Sequence, residues 1–149
     1  DYFMDCLAHK KAEAVTEAVA AFSEAIRLAP NDPDYYYHRG LTKRKLNDFQ
    51  GAIADYDQAI ALHDSEAKFW FNRGIAKRQL NLYAEAINDY DQAIALDPNY
   101  ANAYFNRGIA KRKLADYRGA LADFEKTLEL KPGDAKALKM KKLTLDKIR

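Results

Sequence analysis

The side chains of this chain that could do chemistry are few and poorly placed for it. His9, His38 and His63 share no metal-ligand spacing with one another or with Cys6, and no glycine-rich loop is present to cradle a phosphate. Cys6 and His9 stand three apart and could share one helix face, but a pair alone does not complete a ligand set. The carboxylates Asp55, Asp89 and Asp123 recur at intervals of 34, as do Arg39, Arg73 and Arg107. A group repeated at a fixed interval belongs to the architecture. These residues predict no catalytic centre, no metal and no cofactor, so the chain is expected not to be an enzyme.

The elements that carry these residues follow from composition and periodicity. The chain has 149 residues, 48% hydrophobic and 31% charged, which suits one globular domain with a real core. Its 24 Lys and Arg nearly cancel 22 Asp and Glu, so no global field recruits nucleic acid or a membrane. No run approaches the length of a membrane span. A single cysteine makes no internal disulfide, which fits a reducing, cytoplasmic setting. The chain begins at Asp1 rather than Met, so a processed form or an excised fragment is expected.

The strongest signal is internal repetition. Residues 67–100 align without gaps on 101–134 and agree at 15 of 34 positions, and 33–66 keep the same frame. One period further back, Tyr2 falls on Tyr36, Trp70 and Tyr104, while Ala18, Phe22 and Ala25 fall on Ala52, Tyr56 and Ala59. Residues 1–32 therefore read as a degenerate first repeat, with Cys6 where Gly40, Gly74 and Gly108 stand and His9 at a repeated Lys. Within 101–134, Tyr104, Phe105, Ile109 and Leu114 recur at helical spacing, as do Leu121, Phe124, Leu128 and Leu130. Polar joints such as Asn47-Asp48 and Ala115-Asp116 separate the two helices, and Asp-Pro-Asn 97–99 or Lys-Pro-Gly 131–133 closes the unit. Each unit is read as an antiparallel helix pair.

A mid-helix glycine costs about 1 kcal/mol relative to alanine. Its recurrence at 40, 74 and 108 implies a close approach, with Ala52, Ala86 and Ala120 expected to face it and the large aromatics filling the space beside it. Pairs this short must stack into a solenoid to bury their apolar faces. Residues 135–149 fit a capping helix, with Leu138, Leu145 and Ile148 covering the last repeat and the lysines in water. Lys142 stands in the glycine position, so the array is expected to end there.

Trp70, Gly74, Ala86, Tyr90, Ala93 and Pro98, and likewise Tyr104, Gly108, Ala120, Phe124 and Pro132, resemble the tetratricopeptide repeat pattern. The resemblance implies an all-α, right-handed superhelical solenoid of antiparallel helix pairs, spanning 1–149 as one domain. Two departures recur: Arg39, Arg73 and Arg107 replace the usual Leu, and Lys43, Lys77 and Lys111 the usual Tyr. The repeated Arg and Asp are expected to form a solvated pair contributing about 0–1 kcal/mol. Support comes from the first repeat, where Asp5 and Ala21 replace both partners at once.

The resemblance also places the first helices along a concave, peptide-binding groove. Stripes in those helices then stack into a row of aromatics (Phe3, Tyr37, Phe71, Phe105) beside a row of bases (Lys10, Arg44, Arg78, Arg112). Asn72 and Asn106 flank the aromatics, and Lys68 and Asn102 begin the stripes of their helices. The aromatics could equally serve packing between helices, as Leu41, Ile75 and Ile109 are expected to do; the Arg row has no such role in a core and is either ligand-binding or a solvated face. The expected function is therefore a protein- or peptide-binding scaffold for an acidic, partly apolar segment. The alternative is an assembly or self-association module.

The adaptors that clamp a C-terminal carboxylate of Hsp70 or Hsp90 use Lys and Asn, then Asn, then Lys and Arg. The matching positions here are Tyr37, Leu41, Asn72, Asn102 and Asn106, of which only Asn72 agrees. One repeat earlier they are Phe3, Leu7, His38, Lys68 and Asn72, where only Lys68 agrees. No such adaptor is expected. RNA binding is disfavoured too, since pentatricopeptide relatives run at a period of 35 and this chain keeps 34.

Overall fold

The joints between helices explain the fold best. In the computed structural model, Asn47, Asn81 and Ala115 each adopt a left-handed backbone, φ 62–63°. The next amide turns back into the helix it leaves, Asp48 N donating to Lys43 O, Leu82 N to Lys77 O and Asp116 N to Lys111 O, each at 2.9 Å. The following helix then starts on a side-chain cap in two of three cases. Asp48 accepts from Gly51 N at 2.9 Å and Asp116 from Gly119 N at 3.0 Å, whereas Leu82 offers no acceptor. Asp116→Ala is expected to lower stability by about 1 kcal/mol in urea unfolding.

Backbone is described from residue 2 and side chains from residue 10. Among the described residues there are eight helices: α1 Tyr2–Leu28, α2 Pro33–Lys45, α3 Phe49–Leu62, α4 Ala67–Gln79, α5 Tyr83–Leu96, α6 Ala101–Lys113, α7 Tyr117–Leu130 and α8 Ala135–Ile148. Among the described residues there is no strand, and no helix is long and apolar enough to cross a membrane. The chain divides into two compact units, Asp1–Ser65 and Glu66–Arg149. In the first, α2 packs against α1 and α3; in the second, α4 packs on α5, α5 on α6, α6 on α7 and α7 on α8.

Four expectations are corrected. Residues 2–28 form one helix of 27 residues, not a pair. At the positions of Asn47 and Asp48 the first repeat has Glu13 and Ala14, so neither the left-handed turn nor the cap is encoded and the helix runs through. The roles expected of Phe3, Cys6, Leu7 and His9 lie outside the described side chains.

The atoms over the repeated glycines are aromatic, not alanine. A Cβ on Gly40, Gly74 or Gly108 would stand 2.7 Å from Cε1 of Tyr56, Tyr90 or Phe124, rings that are themselves fully buried. Of the α8 residues expected to cover α7, Leu145 and Ile148 are half-buried but Leu138 is 50% exposed, and Ala137 and Thr144 are the fully buried ones. Leu114, expected within the apolar face of α6, caps that helix in solvent.

Candidate functional site

Every complete repeat holds the same charged cluster between its two helices. Asp55 takes a bidentate pair from Arg39 (2.8 and 2.6 Å), Asp89 from Arg73 (2.9 and 2.8 Å) and Asp123 from Arg107 (2.9 and 2.7 Å). A second cation reaches each carboxylate: Lys43 at 3.2 Å, Lys77 at 3.1 Å and Lys111 at 3.3 Å. The two departures from the family pattern are thus one device. Arg and Lys lie four apart on the first helix, facing one Asp on the second. The pairing is present as expected, but it is not solvated: the Asp side chains keep only 3–4% of their exposure.

The Arg is held from other sides as well. Its guanidinium lies over the aromatic three residues earlier, Trp70 at 5.0 Å from Arg73 and Tyr104 at 5.4 Å from Arg107. Arg107 also reaches back to Asp91 of the preceding repeat at 2.9 Å, and Arg39 to Ser23 at 3.1 Å. The hydrogen bonds to Asp123 hold the Arg107 guanidinium well above its ordinary value, against the opposing effect of burial.

The other Arg row differs. No carboxylate pairs with Arg44, Arg78 or Arg112 among the described residues, and the Nε atoms of Arg78 and Arg112 are enclosed without a hydrogen-bond partner. Two classes of base therefore share the first helices, one neutralised within the fold and one not.

In the second unit, Arg78, Asn102, Phe105, Asn106 and Ile109 line one open cleft of about 660 Å³. Thr127, Lys131, Asp134, Ala135 and Lys136 complete its lining. Lys131 donates to Asn102 Oδ1 at 3.1 Å, and Asn106 to Asn102 O at 2.8 Å, so the amides are held in place by their neighbours. Asp134 already accepts from Ala137 N at 3.0 Å as the cap of α8. Three bases thus face one engaged carboxylate, and the cleft is an anion-attracting surface with an aromatic wall.

The remaining candidates are placed otherwise. Tyr37 is 8% exposed and packs on Tyr56 in the core of the first unit, so it is not available to a ligand. Phe71 is half-buried between Tyr90 and Tyr100, with ring centres 5.9 and 4.8 Å away. Asn72 is buried and donates to Lys68 O at 2.8 Å, while Lys68 is exposed. Phe105 keeps an accessible side although it packs on Phe124 at 5.6 Å. Arg44 belongs to the first unit, near the buried Tyr56 phenol, which burial pushes well above its usual value.

Sequence reading missed Lys131 and Lys136 as site residues. Lys136 was findable, since it continues the row Asp34, Lys68, Asn102 at the repeat interval. Lys131 lies in a turn, and no periodicity points there. No group of three or more His, Cys, Asp or Glu able to hold a metal occurs among the described residues.

This architecture defines a helical-repeat protein whose first helices carry a surplus of unneutralised base. Family models agree: one described as TPR repeat matches residues 8–46 and 74–114, and two more as tetratricopeptide repeat match 101–134 and 33–63. The chain belongs to the tetratricopeptide repeat family.

Solved structures similar to it include MamA, with a TM-score of 0.87 at 23% identity, covering 92% of this chain and 80% of that one. YrrB, described as a TPR protein with an unusual peptide-binding site, has a TM-score of 0.80 at 25% identity, covering 87% and 67%. The second TPR domain of human RPAP3, solved in complex with the HSP70 peptide SGPTIEEVD, has a TM-score of 0.72 at 32% identity, covering 76% and 98%. A search of curated proteins by sequence finds no match.

Proposed function

We propose that this protein is a protein- or peptide-binding scaffold rather than a catalyst, and that its first helices take an acidic, partly apolar segment. The observation that carries this reading is the contrast between the two Arg rows. Arg39, Arg73 and Arg107 are neutralised by buried Asp, whereas Arg44, Arg78 and Arg112 have no carboxylate among the described residues. In the second unit, stacked helices lie about 8–10 Å apart, so Arg78 and Arg112 should form successive rungs. An extended peptide advances about 3.3 Å per residue, so acids about three apart would meet them. Apolar residues between would rest on Phe105 and Ile109. The peptide bound by the RPAP3 domain, SGPTIEEVD, has this character of acids beside Ile and Val.

The probe is a peptide with Glu at every third position and Leu or Ile between, acetylated and amidated, followed by fluorescence anisotropy. Binding is expected to weaken as salt rises. Arg44→Ala, Arg78→Ala and Arg112→Ala together should reduce it at least about tenfold, a loss of about 1.4 kcal/mol, with the melting temperature nearly unchanged. Because the positions of the Hsp70/Hsp90 clamp hold Tyr37, Leu41, Asn72, Asn102 and Asn106, a free C-terminal carboxylate should add little. Equal binding of a peptide with Lys in place of Glu, or unfolding of the triple variant, would make the Arg row structural.

A further inference from the structure

The first repeat has both halves of a helix pair in its sequence but not in its fold. By the repeat frame, residues 2–13 correspond to a first helix and 15–28 to a second, yet α1 runs straight through both. A straight helix cannot lie against itself, so the second half lacks the cover that its counterpart enjoys. In α3, Ala52, Tyr56 and Ala59 are completely buried. The same positions in α1, Ala18, Phe22 and Ala25, are only half-buried, and no described side chain of that helix is fully buried. Helix α2 supplies one side, where Phe22 stacks on His38 at 5.8 Å and Arg39 donates to Ser23 at 3.1 Å. The uncovered side is the one that α2 itself covers on α3.

We propose that this face is covered by a second copy of the chain, through an exchange of α1 halves. Two α1 helices packed antiparallel, with a two-fold axis near Ala14, would lay residues 2–13 of each on 15–28 of the other. The complementary half exists in the same chain, but α1 carries it about 18 Å straight onward, where a second copy can present it. Both halves are buried in one symmetric interface, as an exchanged element requires. By the repeat frame, Cys6 of one copy takes the place of Gly74 and Phe22 of the other that of Tyr90.

Light scattering on the intact chain should give twice its 17.0 kDa at micromolar concentration. A monomer at tens of micromolar would overturn the proposal. Glu13→Asn with Ala14→Asp restores the joint seen at Asn47-Asp48 and should yield a folded monomer whose pair closes within one chain. Cys6→Arg puts a charge in the exchanged interface and should also give a monomer with α2–α8 intact by circular dichroism. If the hinge variant fails to fold, Cys6→Arg decides. A dimer that survives Cys6→Arg, or a folded hinge variant that remains dimeric, places the interface elsewhere and ends the proposal.

Discussion

Gly74→Leu is expected to destabilise the second unit by about 3 kcal/mol or more, at or beyond the upper end of overpacking effects. The first added carbon already meets Tyr90 Cε1 at 2.7 Å and Cδ1 at 2.9 Å, where carbon atoms normally stand about 3.5–4.0 Å apart. The ring cannot yield easily. Tyr90 is completely buried within a cluster that includes Ile75, Ala86 and Ala110, with Phe71, Tyr83 and Ile87 against it. Gly74→Ala brings the same first carbon without the rest of the side chain and should cost less than Leu. Urea unfolding monitored at 222 nm in the far ultraviolet would check both. If Gly74→Leu melts with the parent, the close approach does not hold in solution.

Asp89→Ala is expected to cost about 3 kcal/mol, because a buried carboxylate shared by two cations is lost while the cations stay. The Arg73 and Lys77 side chains keep only 16% and 14% of their exposure, so water recovers part of their solvation but not all of it. Arg73→Ala should cost less, since Lys77 continues to pair with Asp89. A double-mutant cycle on Arg73→Ala and Asp89→Ala should give a coupling above the roughly 1 kcal/mol ceiling of exposed pairs. Added salt should change it only weakly, because burial excludes the screening ions. A coupling of a few tenths that vanishes in salt would assign the pair to the solvated class.

The stakes differ between these clusters and the unpaired row. Arg73 is bound from several directions, and its removal disturbs the repeat. Arg78 and Arg112 have no carboxylate partner among the described residues, so their removal should leave stability almost unchanged while altering what the surface attracts. That separation of stability from binding is what makes the Arg44, Arg78 and Arg112 substitutions informative.

Repetition and helical spacing are enough to read the units and the Arg–Asp pairs inside them. The interval of 34 sets which residues share a position and so pairs Arg73 with Asp89, whereas Lys77 as a second partner of that carboxylate comes from the structure. Glycine recurrence announced a close approach, because a destabilising residue kept at one place signals a steric need. Tertiary structure alone decided what fills that approach, since the side-chain direction that brings Tyr90 rather than Ala86 over Gly74 depends on how two helices cross. It also decided that the Arg–Asp pairs are buried, as exposure is a property of neighbours rather than of a motif. The same holds for Tyr37, which spacing put in a ligand row and packing against Tyr56 put in the core. The straight α1 sits between these cases. Glu13 and Ala14 were legible as good helix formers, but that they overrule the repeat frame emerges only when backbone continuity competes with the burial a hairpin would have gained.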